Sequence, residues 1–360
     1  MGRKIINAFN RSSYKIVKNI AFKFDPENVH NFFIRTGKRL QSNKVSRRVL
    51  RAFFSYKNRK LEQNLGGIRF ANPVGLSAGF DKNAEIINTI SDVGFGFSEV
   101  GSITAKACKG NDGVRLRRLP EKKSLWVNFG LNNDGADKIA RRLQGKKFSI
   151  PVGISVAKTN CKETVDLEVG VEDYLYTLKT FNFLNIGEYF TINISCPNAY
   201  GGLPFTQPKY YEALLKKLIK LKIRRPLFVK FSPDLDKKNI DAIIKISEKY
   251  KIDGFICANL TKQHKFGKGG LSGKAVDKLS DWLISYVHKK TKGEKIIIGV
   301  GGVFSAEDAY RKIKLGANLV QLIAGMIYNG PGVISEINYN LVKLLEKDGY
   351  KNISEAVGKN

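Results

Sequence analysis

The chain has 360 residues, 42% of them apolar, which is enough for a full core and too apolar for a disordered chain. Its 62 Lys and Arg against 32 Asp and Glu leave a formal charge of +30, a field that favours anionic lipid, nucleic acid or an anionic substrate. Solvated lysines on helix faces account for most of that charge, and without RNP-like aromatic motifs or zinc-finger spacing nucleic acid is set aside. Cys108, Cys161, Cys196 and Cys257 lie far apart and form no CxxC. This argues against a disulfide framework and against zinc or iron–sulfur ligation, and it suits a reducing compartment. Three histidines, His30, His264 and His288, are too few for histidine triads or multi-histidine metal sites, so no metal is expected. No apolar run approaches the ~20 residues of a membrane-spanning helix.

Residues 1–64 stand apart, with sixteen Lys and Arg against three Asp and Glu. Ile5, Ile6 and Phe9, then Ile16, Val17, Ile20 and Ala21, recur at helical spacing among basic residues. Phe32, Phe33 and Leu40 belong to a second helical segment that follows Asp25-Pro26-Glu27. Two basic amphipathic helices fit either attachment to an anionic membrane surface or a helical cap docked on the following domain. Charges interrupt the apolar stretch, which argues against a cleavable signal peptide.

From residue 72 short apolar strands alternate with helical patterns. The strands are expected at 73–78, 97–101, 151–156, 189–194, 226–231, 253–258, 295–300 and 318–323. The helices are expected at 83–93, 170–182, 208–222, 236–249, 274–291, 305–314 and 331–346. Strands buried on both faces read as continuous apolar runs, as these do. Eight such units predict an α/β fold, a (β/α)8 TIM barrel over residues 65–350 with an N-terminal helical extension over 1–64 and a tail over 351–360. A doubly wound open sheet is the alternative. The long gap at 102–150 predicts a loop that takes part in the site.

Polar and glycine residues follow almost every strand, where barrel enzymes keep their chemistry. Gly79, Asp81 and Lys82 follow the first, Ser102 the second, Ser195, Cys196 and Asn198 the fourth; Lys230 ends the fifth, and Asn259 and Thr261 end the sixth. Gly299-Val300-Gly301-Gly302 after the seventh and Ala324-Gly325 after the eighth suit a phosphorylated cofactor, because backbone N–H groups there can face an anion. No GxGxxG opens a first βαβ unit, so a Rossmann site is not supported. Tyr189–Gly202 is the densest stretch: a period-2 strand runs into Cys196-Pro197-Asn198, where proline ends the ladder. It sets a thiol and the carboxamides of Asn193 and Asn198 at a strand end, suited to base or nucleophile chemistry on a ring with donors and acceptors. Read from these residues alone, Cys196 is first of all a small buried core residue, and Ser195 is a turn-stabilising hydroxyl.

These motifs together resemble the dihydroorotate dehydrogenases, the FMN-containing barrel enzymes of pyrimidine synthesis. The matching segments run in register along nearly the whole chain: NPVGLSAGFDKN at 72–83, GNDGVRLRRL at 110–119, NISCPN at 193–198, VKFSPD at 229–234, GGLSG at 269–273, IIGVGG at 297–302 and LVQLIAG at 319–325. FDPENVH at 24–30 resembles the N-terminal extension of the membrane-associated, quinone-linked class. The resemblance implies FMN with its phosphate on Gly273, Gly302, Ala324 and Gly325. It implies Lys230 at the N1/O2 edge of the flavin, and Ala78, Gly79, Ser102, Ser155, Asn193 and Ala258 along the cofactor. Lys82 would meet the substrate carboxylate beside the flavin; Asn193, Asn198 and Asn259 would read the pyrimidine ring; Gly130 and Leu131 would close over it. Cys196 falls at the position of the catalytic base, and His30 and Arg118 at the quinone entrance.

The implied reaction is oxidation of dihydroorotate to orotate with electrons passed to a membrane quinone, by a peripheral protein on the cytoplasmic face of a bacterial-type cell membrane. No obligate protein partner is implied. Four positions depart from the pattern. Cys196 stands where the quinone-linked class has Ser; Val127 stands where the family has a substrate-binding Asn, with Asn128 next to it; Leu260 replaces Thr or Ser; Ile323 replaces Tyr. Two further readings stay open: a soluble acceptor such as fumarate with a cytoplasmic protein, and a related flavoenzyme acting on another dihydropyrimidine.

Overall fold

The computed structural model describes residues 2–360. Eight parallel strands close into a barrel: β1 (Val74–Leu76), β2 (Phe97–Ile103), β3 (Val152–Val156), β4 (Tyr189–Asn193), β5 (Leu227–Lys230), β6 (Gly254–Cys257), β7 (Ile296–Val300) and β8 (Leu319–Leu322). Each pairs with the next and β8 pairs with β1, so no strand edge is left open. This is the expected (β/α)8 barrel, and the open sheet is excluded by the closure. The strands fall within two residues of the positions that the apolar runs predict, because most strand residues are buried on both faces.

The N-terminal end of the barrel is stopped by a hairpin, Gln63–Leu65 with Ile68–Phe70, that carries no long apolar pattern. Phe70 packs edge-to-face on Phe97 with ring centroids 5.3 Å apart, in a buried layer with Tyr189, Phe228, Ile256, Ile298 and Leu319. A buried aromatic side chain of this kind contributes roughly 1.5–3 kcal/mol by leaving water. Above this layer the barrel interior turns polar. Glu99 is fully buried and accepts from Thr191 Oγ1 at 3.1 Å and from Gln321 Nε2 at 3.2 Å.

The 102–150 gap is not a simple loop. It forms strands Leu116–Leu119 and Ser124–Val127 and the helix Ala136–Leu143. Gly270–Gly273, from the chain after β6, pairs antiparallel with Ser124–Val127 to complete a three-stranded sheet over the C-terminal end of the barrel.

The extension holds three helices rather than two: α1 (Gly2–Ala21), α2 (Pro26–Ser42) and α3 (Lys44–Phe54). Asp25 caps α2 by accepting from the amides of Glu27 and Asn28, with Pro26 at the first helical position. Asn43 ends α2 and caps α3 the same way, which places a boundary inside a run read as one segment. The side of α1 facing the barrel buries Asn7 and Asn10; Asn7 Oδ1 accepts from Ser335 Oγ at 2.9 Å, and Tyr14 Oη donates to the carbonyl of Ile327 at 2.7 Å. Its apolar residues turn outward: Ile5 is 65% exposed, Phe9 59%, Ile16 66% and Ile20 58%. The extension is therefore docked on the barrel with an apolar face left over. No helix among the described residues is long and apolar enough to cross a membrane. The last ten residues are not a free tail, since Ile353 and Ala356 are buried in the core beside α3 and the C-terminal helix Gly332–Lys347.

Candidate active site

The C-terminal strand ends surround a cavity of about 190 Å³, roofed by the three-stranded sheet and flanked by α2. Ala78, Gly79, Lys82, Ser102, Gly130, Leu131, Asn193, Cys196, Asn198, Lys230, Ala258, Asn259, Gly273, Gly302, Ala324, Gly325 and His30 all line it. Two of the expected residues do not. Ser155 is fully buried beneath the cavity lining, level with Thr191 on the neighbouring strand, and shares a 2.7 Å hydrogen bond with Ser102 Oγ. Arg118 lies outside the cavity at the turn between α1 and α2. Its guanidinium sits 4.6 Å from the Phe22 ring and donates to the carbonyl of Phe24 at 2.9 Å.

One side of the cavity suits a phosphate. The amides of Gly302 and Val303 have no hydrogen-bond partner among the described residues. Ala324 and Gly325 open the short helix Ala324–Asn329, so their N–H groups have no acceptor within it. Together these are four unclaimed donors on one wall. Deeper, Lys230 Nζ is buried between Ser77 Oγ at 3.3 Å and Glu99 Oε1 at 3.9 Å; burial lowers its pKa and Glu99 opposes that. Gln321 Oε1 is buried with no partner and is free to accept from a ring N–H. The donor and acceptor set fits a phosphorylated ligand with a polar ring.

The other side suits a small anion. Lys82 is partly buried, stands 3.9 Å from the Phe129 ring centroid and has no carboxylate within salt-bridge distance among the described residues. Burial lowers its pKa to about 8, with Glu27 opposing. A partly buried ammonium without a counter-charge suits an anionic ligand. Asn193 Nδ2 donates to Ser102 Oγ at 2.8 Å, and its Oδ1 accepts from the amide and hydroxyl of Ser195. Asn259 Nδ2 bonds the Ser195 carbonyl at 3.1 Å and its hydroxyl at 3.0 Å, so Ser195 is the turn-stabilising residue expected of it. Asn198 Nδ2 donates to the carbonyl of Val127 at 3.1 Å, leaving its buried Oδ1 unpartnered.

Cys196 is half-buried on the wall between these groups. Burial pushes its thiol pKa up; the amide of Asn198 and the ammoniums of Lys158, Lys230 and Lys262 pull it down. His30 packs edge-to-face on Phe80 at 5.0 Å, and burial followed by the charge of Lys82 lowers its pKa to about 3, so it is neutral. Val127 and Leu260 face the cavity, whereas Asn128 turns away to accept from Asn111 Nδ2 at 2.9 Å and does not replace the missing carboxamide.

Sequence reasoning passed over Ser77, Phe129, Asn132 and Gln321, which also line the cavity, and Glu99 and Lys158 just outside it. Glu99 carried a signal, a charge inside the apolar strand FSEVG. So did Lys158, a cation at the end of β3.

Fold and site together define a (β/α)8 barrel whose strand-end cavity has donors suited to a phosphate on one side and a cation suited to a small anion on the other. The chain matches the model of the family described as dihydroorotate dehydrogenase over residues 60–345. A dihydroorotate dehydrogenase (quinone) of Gloeobacter violaceus is 36% identical over 352 residues, covering 96% of this chain and 98% of the relative. Another from Trichormus variabilis is 38% identical over 360 residues, covering 93% of this chain and 94% of the relative. The crystal structure of ligand-free DHODH from Eimeria tenella superposes with a TM-score of 0.82 at 27% identity, covering 93% of this chain and 99% of that one. The chain belongs to the dihydroorotate dehydrogenase family, whose members are flavin-dependent oxidoreductases.

Proposed function

We propose that this protein oxidises dihydroorotate to orotate in pyrimidine biosynthesis, with FMN as cofactor and a membrane quinone as final acceptor. The observation that carries the reading is the partly buried, unpaired Lys82 ammonium in one cavity with the Cys196 thiol and three carboxamides. FMN, when bound, would supply the two-electron redox chemistry that takes up the hydride lost from C6 of the substrate. Gly302, Val303, Ala324 and Gly325 would hold its phosphate through their amides, with Gly273 beside them. Lys230, Ser102, Asn193, Ala78, Gly79 and Ala258 hold its ring, and Ser155 acts through Ser102.

Lys82 binds the substrate carboxylate and so fixes which way the ring lies. Asn193, Asn198 and Asn259 pair with the ring's N–H and C=O groups; the free Oδ1 of Asn198 is an acceptor for one such N–H. Leu131, with φ +58 beside Gly130 at φ +63, bends the 129–132 segment over the substrate. Cys196 as thiolate takes the proton from C5 and becomes the thiol; loss of that proton and of the C6 hydride leaves the C5=C6 double bond of orotate. Val127 and Leu260 make this end of the cavity more apolar than a carboxamide and a hydroxyl would.

The outward apolar face of α1 and its flanking basic residues support attachment of the extension to an anionic membrane surface. There the extension would open a path for the quinone past His30, Phe80 and Ile323. Arg118 would act from outside that path by holding the turn between α1 and α2.

The test is anaerobic mixing of the purified flavoprotein with dihydroorotate, followed at the flavin absorption band. Wild type bleaches rapidly, Cys196→Ser more slowly, and Cys196→Ala about 10²–10⁴-fold more slowly, the range for loss of a positioned base. Flavin that is present but does not bleach with dihydroorotate would refute the substrate assignment.

A further inference from the structure

Cys196 is a weak base unless something favours its thiolate. No histidine lines the cavity near it except His30, which is neutral and packs on Phe80. Cys196 also lines a second, smaller cavity next to the first, of about 10 Å³, whose walls include Lys158 and Tyr174. Lys158 is only 3% exposed. Its ammonium donates to the Tyr200 carbonyl at 2.8 Å and to Thr164 Oγ1 at 3.3 Å, and no carboxylate lies within salt-bridge distance of it among the described residues. Asp173, the carboxylate whose charge acts on Lys158, spends its Oδ1 on the amides of Thr159 at 2.9 Å and Ala105 at 3.3 Å.

We propose that Lys158 is a positioning residue for the base: a fixed, buried positive charge that stabilises the Cys196 thiolate from the smaller cavity. The inference rests on the reading of Cys196 as the proton acceptor.

Three features carry it. Lys158 is held by two neutral oxygens, so its charge is not cancelled locally. It belongs to the loop after β3, and its grip on Tyr200 fixes the segment that begins at Cys196; Asn160 holds the same residue from its other side by accepting from the Tyr200 amide. Lys158 and Cys196 line the same small pocket, and Lys158 is almost wholly out of water, where Coulomb attraction is screened less than at the surface. The other groups facing Cys196 are weaker candidates. Lys230 is committed to the flavin side beside Glu99, and Lys262 stands in an exposed loop. The Tyr174 hydroxyl donates to the Asn193 carbonyl at 2.8 Å and is kept neutral by burial. On the Lys158 side, Cys108 and Cys161 face the ammonium besides Asp173. The shifts agree with this geometry: Lys158 is the foremost cation lowering the Cys196 pKa, and Cys196 in turn raises that of Lys158 against its burial.

The experiment is the pH dependence of Cys196 alkylation by iodoacetamide in the full-length flavoprotein, with adducts located by peptide mass spectrometry. A Cys161→Ser background removes the other partly exposed thiol; Cys108 and Cys257 are buried. Lys158→Met and Lys158→Gln should each raise the alkylation midpoint by about 1 pH unit or more, the usual effect of losing a nearby opposite charge. The pH profile of anaerobic flavin reduction should move with it. Asn160→Ala loosens the same Tyr200 segment without removing charge, so it should lower the rate at every pH and leave the midpoint in place.

An unmoved midpoint in both Lys158 variants, or recovery of the wild-type midpoint in Lys158→Gln, would overturn the proposal in favour of a purely structural tether. A shifted midpoint without any loss of flavin reduction in Cys196→Ala would leave the electrostatics standing but overturn the proposal, because the thiolate would then not be the base. Failure of dihydroorotate to bleach the wild-type flavin is seen separately and concerns the substrate, not Lys158.

Discussion

The barrel and the N-terminal extension use amphipathic patterns in opposite directions. In the barrel, apolar faces turn inward, and the hairpin and helices bury them in separate core clusters inside and around the strands. In α1 the buried residues are Asn7 and Asn10, fixed by hydrogen bonds, while Ile5, Phe9, Ile16 and Ile20 stand in solvent. A helix docked by its polar side has kept its apolar side for something else. The barrel's pattern serves folding, and the extension's outward face supports the attachment proposed for it.

The comparison breaks most severely if the extension is removed. Deleting residues 1–50 should lower turnover with a long-chain quinone by on the order of 100-fold or more, by removing both the apolar face and His30. Anaerobic flavin reduction by dihydroorotate should persist, since the barrel supplies Cys196 and the carboxamides. Quinone turnover that survives the deletion would show the extension to be a cap only.

A smaller effect is expected inside the barrel at Lys82. Lys82→Met should weaken orotate binding roughly 10–100-fold, as loss of a charge-assisted hydrogen bond does. The sign of its pH dependence follows from the free protein. Its ammonium is the binding form, and burial lowers its pKa to about 8. Orotate affinity should therefore be flat below about pH 8 and fall toward tenfold per unit above it. Lys82→Met should abolish that descending limb. Titration of orotate against the flavin spectrum reads both, and a limb that persists in the variant assigns the titration to another group.

The mildest test keeps the fold intact and changes only the outward face. Ile16→Glu with Ile20→Glu replaces two exposed residues, so thermal stability should change little. Cosedimentation with anionic vesicles should drop by about tenfold or more, from the loss of roughly 1.5–3 kcal/mol per inserted side chain. Unchanged sedimentation would mean that the apolar face is not what meets the membrane.

Much of the barrel was legible in the chain because its strands are buried on both faces. FSEVG, PVGISV and DGFICA announce themselves as apolar runs, and the polar residue after each run marks the working end. Cys196, Lys82, Lys230 and the carboxamides were visible for the same reason: each sits at or just past a strand end, a position set by local sequence. The three-residue strands of the 63–70 hairpin were too short to show a period. Gly270–Gly273 had no strand signal of its own and became one by pairing with Ser124–Val127, about 150 residues earlier in the chain.

What tertiary structure alone decided is which groups meet and which way they face. Ser102 and Ser155 have similar strand-end sequences, yet only one reaches the cavity while the other stands behind it. Asn128 lies one residue from Val127, and the strand pleat turns its carboxamide onto Asn111. Amphipathic spacing gave α1 two equivalent readings, and only docking showed that the polar side is the buried one. Lys158 and Cys196 are 38 positions apart, on loops after neighbouring strands β3 and β4, and only barrel closure puts them around one space. Local periodicity depends on burial of the chain against itself in general, so the sequence carries it. The pairing of charge with thiol depends on long-range contacts whose geometry no short window contains.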